Sequence, residues 1–69
     1  MNDSLGEALP KKMQEIRETY IPAYQKIGPA GGFAIAMMNQ ALTRAEKAIV
    51  EGDTVAMIDA YKDLCGFKL

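Results

Sequence analysis

The sequence contains no histidine and no tryptophan, and it contains a single cysteine. Histidine is the commonest general acid or base and the commonest metal ligand in proteins, so its absence removes the usual centre of a catalytic or metal site. The lone thiol, Cys65, cannot form an internal disulfide bond, which is typical of proteins in a reducing compartment. We therefore predict a cytoplasmic protein that is not an enzyme and has no catalytic residues, metal or cofactor.

An excess of charge of one sign is also missing. Eight lysine and arginine residues stand against nine aspartate and glutamate residues, for a net charge of −1. Proteins that bind phosphate backbones usually carry a basic surplus, so this balance disfavours nucleic-acid binding. The least polar stretch, residues 27–38, is broken by glycine and proline and is shorter than the roughly 20 residues that span a bilayer. The first residues lack the pattern of a secretory signal. The sequence thus indicates neither membrane contact nor a small-molecule substrate.

The 69 residues are 49% hydrophobic, which is typical of a single small globular domain covering residues 1–69. Apolar residues recur at helical spacing from Leu9 onward, and they predict an amphipathic helix over about 9–27. Residues 4–7 fit a capping box that would start the helix earlier, and we favour the start near Leu9. Pro22 lies within this helix, lacks an amide proton and crowds the carbonyl of Glu18. We therefore expect a helix that is kinked or broken near 21–22, with both alternatives open.

Two further helices are predicted over about 31–51 and 53–65. The first of these is rich in good helix formers, contains no proline and has a broad apolar face, as expected of a central helix. Gly52 suits a left-handed helix end and Asp53 suits the N-cap of the last helix. So short a connection forces antiparallel packing. The sequence therefore predicts an all-α fold, a small bundle of three main helices in which the last two form an antiparallel αα-hairpin.

A glycine-rich segment, residues 28–32, precedes the central helix. Helix N-termini attract anions, but this segment lacks the Lys-Ser/Thr pair that completes a phosphate-binding loop. We predict a corner between helices in which glycine permits a positive φ or close packing. Whether the corner also contacts a partner is left open by the sequence.

The small size of the chain bears on its function. A domain of this length has a limited core, and the apolar faces of the last two helices are wider than a three-helix monomer can cover. A closed two-fold dimer is the commonest way to cover such faces. We therefore predict a helical protein–protein interaction module that forms a homodimer or binds another protein. The alternative is a small helix-turn-helix-type nucleic-acid-associated regulator. The Gly52–Asp53 corner is compatible with that alternative, whereas Asp59 and Asp63 oppose it.

The candidate interface residues form two groups. The expected centre consists of Met37, Met38, Ala41, Ala45, Ile58 and Tyr61. The expected anchors around the glycine corner are Ile21, Tyr24 and Phe33.

Overall fold

The chain is helical throughout the part that the structure describes. The computed structural model describes residues 4–69, which contain helices and short connections but no strand. In chain order the elements are α1 (Leu5–Glu15), a π-helical turn (Ile16–Tyr20), α2 (Ile21–Gln25), a 3-10 turn (Gly28–Gly31), α3 (Gly32–Glu51) and α4 (Thr54–Cys65). We call α1, the π-helical turn and α2 together the first helix, because they follow one another without interruption. The predicted all-α bundle with an α3–α4 hairpin is confirmed.

The first helix begins at Leu5, earlier than the start near Leu9 that the sequence suggested. Ser4 occupies the N-cap position, and its carbonyl accepts hydrogen bonds from the amides of Glu7 and Ala8 at 3.0 and 2.8 Å. Its side chain makes no capping bond. Pro10 therefore lies inside α1, where its missing amide costs one helical hydrogen bond. The added turn brings Leu5 against the core, and such packing stabilises helices more than local propensity does.

A π-helical turn lies directly before Pro22. The amide of Ile21 donates to the carbonyl of Ile16, five residues earlier, which is the π-helical pattern. Helical conformation is continuous through Pro22, so the chain is not split there, and α2 ends at Gln25 rather than near residue 27. The widened turn thus accommodates the proline within the first helix.

The glycine corner connects the first helix to α3. Gly28 has a φ of 83°, which is the left-handed region that favours glycine. Gly31 is buried, and a Cβ atom at this position would collide with the carbonyl oxygen of Tyr24. The corner therefore requires glycine for two separate reasons: a backbone angle at Gly28 and a close backbone approach at Gly31.

The second corner reverses the chain between α3 and α4. Gly52 ends α3 with a φ of 66°, and the carboxylate of Asp53 accepts a hydrogen bond from the amide of Ala56 at 3.1 Å. These are the helix stop and helix start that the sequence predicted at these two positions. They place α4 antiparallel to α3.

The core lies between the first helix and one face of the α3–α4 hairpin, which we call the inner face. It consists of Leu9, Met13, Ile16, Met38, Ala41, Leu42, Ala45, Ala60 and Leu64. The shortest dimension of the Cα trace is 16 Å, which corresponds to two layers of helices. Within residues 4–69, no helix is long and apolar enough to cross a membrane. On the opposite face of the hairpin, which we call the outer face, the central groove is lined by α3 and α4 alone, and no other helix among residues 4–69 lies over it.

Candidate interaction surface

Three of the predicted interface residues lie in the core of the monomer. Met38 and Ala45 are 0% exposed and Ala41 is 1% exposed, all on the inner face. This burial corrects their placement at the centre of an interface. The broad apolar face of α3 is covered within the chain, because the first helix packs on one part of it and α4 on another.

Three further candidates are half-buried at the edge of the core: Ile21, Tyr24 and Tyr61. The hydroxyl of Tyr24 donates to the backbone carbonyl of Lys68, so this tyrosine joins the residues after α4 to the end of the first helix. Tyr61 lines a small cavity beside Lys12 on α1. All three therefore have packing roles inside the chain.

The remaining candidates, Phe33, Met37 and Ile58, are exposed. Phe33 is 79% exposed and lies four residues before Met37, so the two side chains share one face of α3. Met37 lines a shallow cavity together with Phe67, which follows α4. Phe33 and Met37 thus share one end of the outer face, and Phe67, which is half-buried against the core, lies beside Met37. We call these three residues the apolar end. Ile58 lies apart from them, next to the exposed Val55 on another side of α4.

A shallow groove runs between α3 and α4 on the outer face and has a cavity volume of about 420 Å³. Its lining residues are Arg44, Lys47, Ala48, Glu51, Ala56, Asp59, Ala60 and Asp63. The three alanines form the floor, because Ala48 and Ala60 are buried and Ala56 is half-buried. The charged residues are all exposed and form the walls.

The two walls of the groove carry opposite charge. On α3 the wall has Arg44 and Lys47, and on α4 it has Asp59 and Asp63. Arg44 Nη2 lies 3.2 Å from Asp63 Oδ2, across the groove. Because the helices are antiparallel, Lys47 lies at the height of Asp59, one turn further along. Glu51, at the far end of the α3 wall, departs from this pattern.

No protein-family model, curated protein or solved structure matches this chain. The surface itself is therefore the guide to function, and the sequence reasoning missed its basic wall. It used Asp59 and Asp63 only as an argument against nucleic-acid binding and did not connect them with Arg44 and Lys47. The predicted antiparallel hairpin could have revealed this wall. It places two basic residues three positions apart on α3 opposite two acidic residues four positions apart on α4.

Another ionic contact joins the first helix to α3, and further ones lie within the first helix. Arg17 Nη2 lies 3.4 Å from Glu46 Oε2 and links the π-helical turn to α3. The side-chain hydrogen bond from Lys12 to Glu15, at 2.7 Å, raises the pKa of Lys12 above its ordinary value. The Lys12 ammonium also lies 5.6 Å from the centre of the Tyr20 ring, within cation–π range. None of these groups lines the outer groove.

Cys65 is exposed at the end of α4, although the sequence pattern placed it on an apolar face. Among residues 4–69 there is no group of three or more histidine, cysteine, aspartate or glutamate residues that could hold a metal ion. The outer face, with its apolar end, alanine floor and charged walls, is the surface with the most features for recognition.

Proposed function

We propose that this chain is a non-enzymatic helical interaction module of the cytoplasm that associates with a second copy of itself. The observation that carries the proposal is the apolar end, where Phe33 and Met37 are exposed beside the half-buried Phe67 and no helix among residues 4–69 covers them. Fully burying one large apolar side chain is worth about 1.5 to 3 kcal/mol, so a protein partner gains from covering this cluster.

The alanine floor of the groove supports the same proposal. The distance between packed helices depends on the side chains at the contact, and small residues allow a close approach. Ala48 and Ala60 are already buried in the monomer, so Ala56, which is half-buried, is the alanine that leaves room for a partner's helix along the groove. The acidic wall formed by Asp59 and Asp63 would repel phosphate, so the outer face does not favour the nucleic-acid-associated alternative.

Sedimentation equilibrium over a wide range of protein concentrations tests the proposal. We expect the mass to rise from the monomer value of 7.5 kDa toward twice that value as the concentration increases. The variant Phe33→Ser should shift this transition to higher concentration and leave the helix content unchanged, because Phe33 is exposed in the monomer.

The matched control is Val50→Ser. Val50 is 86% exposed on α3 but does not line the outer groove, so its substitution should leave association unchanged. A wild-type chain that stayed at the monomer mass at every concentration would contradict the proposal. If Phe33→Ser and Val50→Ser weakened association equally, the apolar end would no longer support the proposal.

A further inference from the structure

We infer that two copies dock outer face to outer face about a two-fold axis that runs parallel to α3 and α4. In this arrangement the basic α3 wall of each copy meets the acidic α4 wall of the other. The inference rests on the proposed self-association and adds the surface, the orientation and the charge pairing to it.

The charged residues of the two walls lie at matching heights along the hairpin. The ion pair between Arg44 and Asp63 shows that these two residues lie at one height on opposite sides of the groove. A two-fold axis parallel to the helices keeps every residue at its height and exchanges the two sides. Arg44 therefore meets the partner's Asp63, and Lys47 meets the partner's Asp59. The symmetry repeats both contacts, so the charges of the two walls attract across the whole interface.

The same rotation matches the uncharged parts of the outer face. Phe33 and Met37 lie on the α3 side of the apolar end and Phe67 lies on the α4 side, so each copy sets α3 side chains against the partner's Phe67. The two grooves face each other, and the small, half-buried Ala56 of each copy allows the hairpins to approach closely. Apolar, small and charged regions thus each meet a suitable region of the second copy, which is the self-complementarity that a two-fold interface requires.

A two-fold axis across the helices gives a poorer match. It pairs α3 with the partner's α3, which then runs in the opposite direction. Arg44 would lie near the oppositely charged Glu51 of the partner. The same axis also sets the acidic wall against the partner's acidic wall, where like charges repel. The apolar end of each copy would then project beyond the partner's Glu51 and remain uncovered. Complementarity therefore favours the axis parallel to the helices.

A charge exchange between two chains tests this arrangement. Lys47→Glu makes the α3 wall more acidic and Asp59→Lys makes the α4 wall more basic, so each variant alone brings like charges together twice in its homodimer. We expect each substitution to weaken homodimerisation about tenfold or more, since two attractions become two repulsions. In an equimolar mixture, the substituted wall of one variant meets the substituted wall of the other and the remaining pair of walls is wild type. Heterodimers should therefore form with near wild-type affinity.

Native mass spectrometry with one variant isotopically labelled distinguishes the three dimers. The control for net charge is Lys26→Glu, which changes the charge by the same amount at an exposed position outside the groove and should dimerise like the wild type. Lys47 and Asp59 are exposed, so both variants should keep their helix content by circular dichroism. If either variant lost helix content, the pair Arg44→Glu and Asp63→Arg would test the same exchange of charge one helical turn away.

The outcomes separate this inference from the proposed function. A wild-type dimer whose charge variants dimerise normally and do not prefer each other would overturn the docking arrangement and leave self-association in place. Rescue of an Arg44→Glu chain by a Glu51→Arg chain, with no rescue between the variants at 47 and 59, would establish the axis across the helices instead. A wild-type monomer at all concentrations would overturn both.

Discussion

The inner and outer faces of the α3–α4 hairpin both contain closely spaced alanines, yet only one of them is covered by another helix. On the inner face, Ala41 and Ala45 lie under the first helix and are 1% and 0% exposed. On the outer face, Ala48 is also only 2% exposed, but it lies at the bottom of a groove lined by α3 and α4 alone, where Ala56 is half-buried. The difference lies in the neighbouring side chains, because large aliphatic residues surround the inner alanines and charged residues flank the outer ones. Alanines in a helix therefore indicate that another helix can pack closely against it. The side chains around the alanines indicate whether that helix belongs to an apolar core or to a charged surface contact.

A charge placed on the inner face should have the largest effect. Ala45→Glu puts a carboxylate among the core residues with no partner, which costs about 3 to 5 kcal/mol, a large part of the stability of a small domain. The sequence placed Ala41 and Ala45 at the centre of an interface, where a glutamate would dissociate an assembly, but their burial in the monomer makes unfolding the expected result. Thermal unfolding followed by circular dichroism measures the effect.

The control for this substitution is Ala36→Glu, on the same helix at an exposed position. It should change the unfolding free energy by less than about 0.5 kcal/mol, as surface substitutions usually do. If the two variants unfolded at the same temperature, Ala45 would not be covered by the first helix and the distinction between the faces would be lost.

The glycine corner allows a second test, because it holds the first helix over the inner face. Gly31→Ala forces the new Cβ against the carbonyl of Tyr24, and such overpacking typically costs about 1 to 3 kcal/mol. The neighbouring Gly32 has a φ of −62° and no atom near the position of a Cβ. Gly32→Ala should therefore stabilise the fold by about 0.4 to 1 kcal/mol, since alanine restricts the unfolded chain. Urea denaturation of the two variants should give opposite signs, and a shared sign would show that the corner is not tightly packed.

Local chemistry in the sequence is sufficient to predict much of this fold. Gly52 and Asp53 identify the second corner because a left-handed helix end and an N-cap each depend on one residue and its immediate neighbours. The start at Leu5 was the less favoured of two possible starts and the π-helical turn before Pro22 was not predicted, because both are decided by how the first helix packs on the hairpin. Their positions depend on contacts between residues that are distant in sequence.

The interaction surface was less predictable for the same reason. The apolar face of α3 includes both Met38, which is buried, and Met37, which is exposed, and a helical wheel places both beside one broad stripe. Only the position of the first helix separates them. The charged walls depend on the register between α3 and α4, which sets Arg44 opposite Asp63 and is not a property of either helix alone.

The smallest expected effect concerns the charges of the outer face in the monomer. Arg44 and Asp63 are both about half exposed, and exposed ion pairs contribute about 0 to 1 kcal/mol. Arg44→Gln should therefore lower the unfolding free energy of the dilute monomer by less than about 1 kcal/mol and leave its helix content unchanged. Urea denaturation measures this at a protein concentration too low for association. The matched control is Arg17→Gln, which removes an exposed ion pair between the first helix and α3. A much larger loss for Arg44→Gln would mean that its ion pair holds the hairpin together. The opposite charges of the two walls would then be explained by folding, and the outer face would lose the feature that pairs it with a second copy.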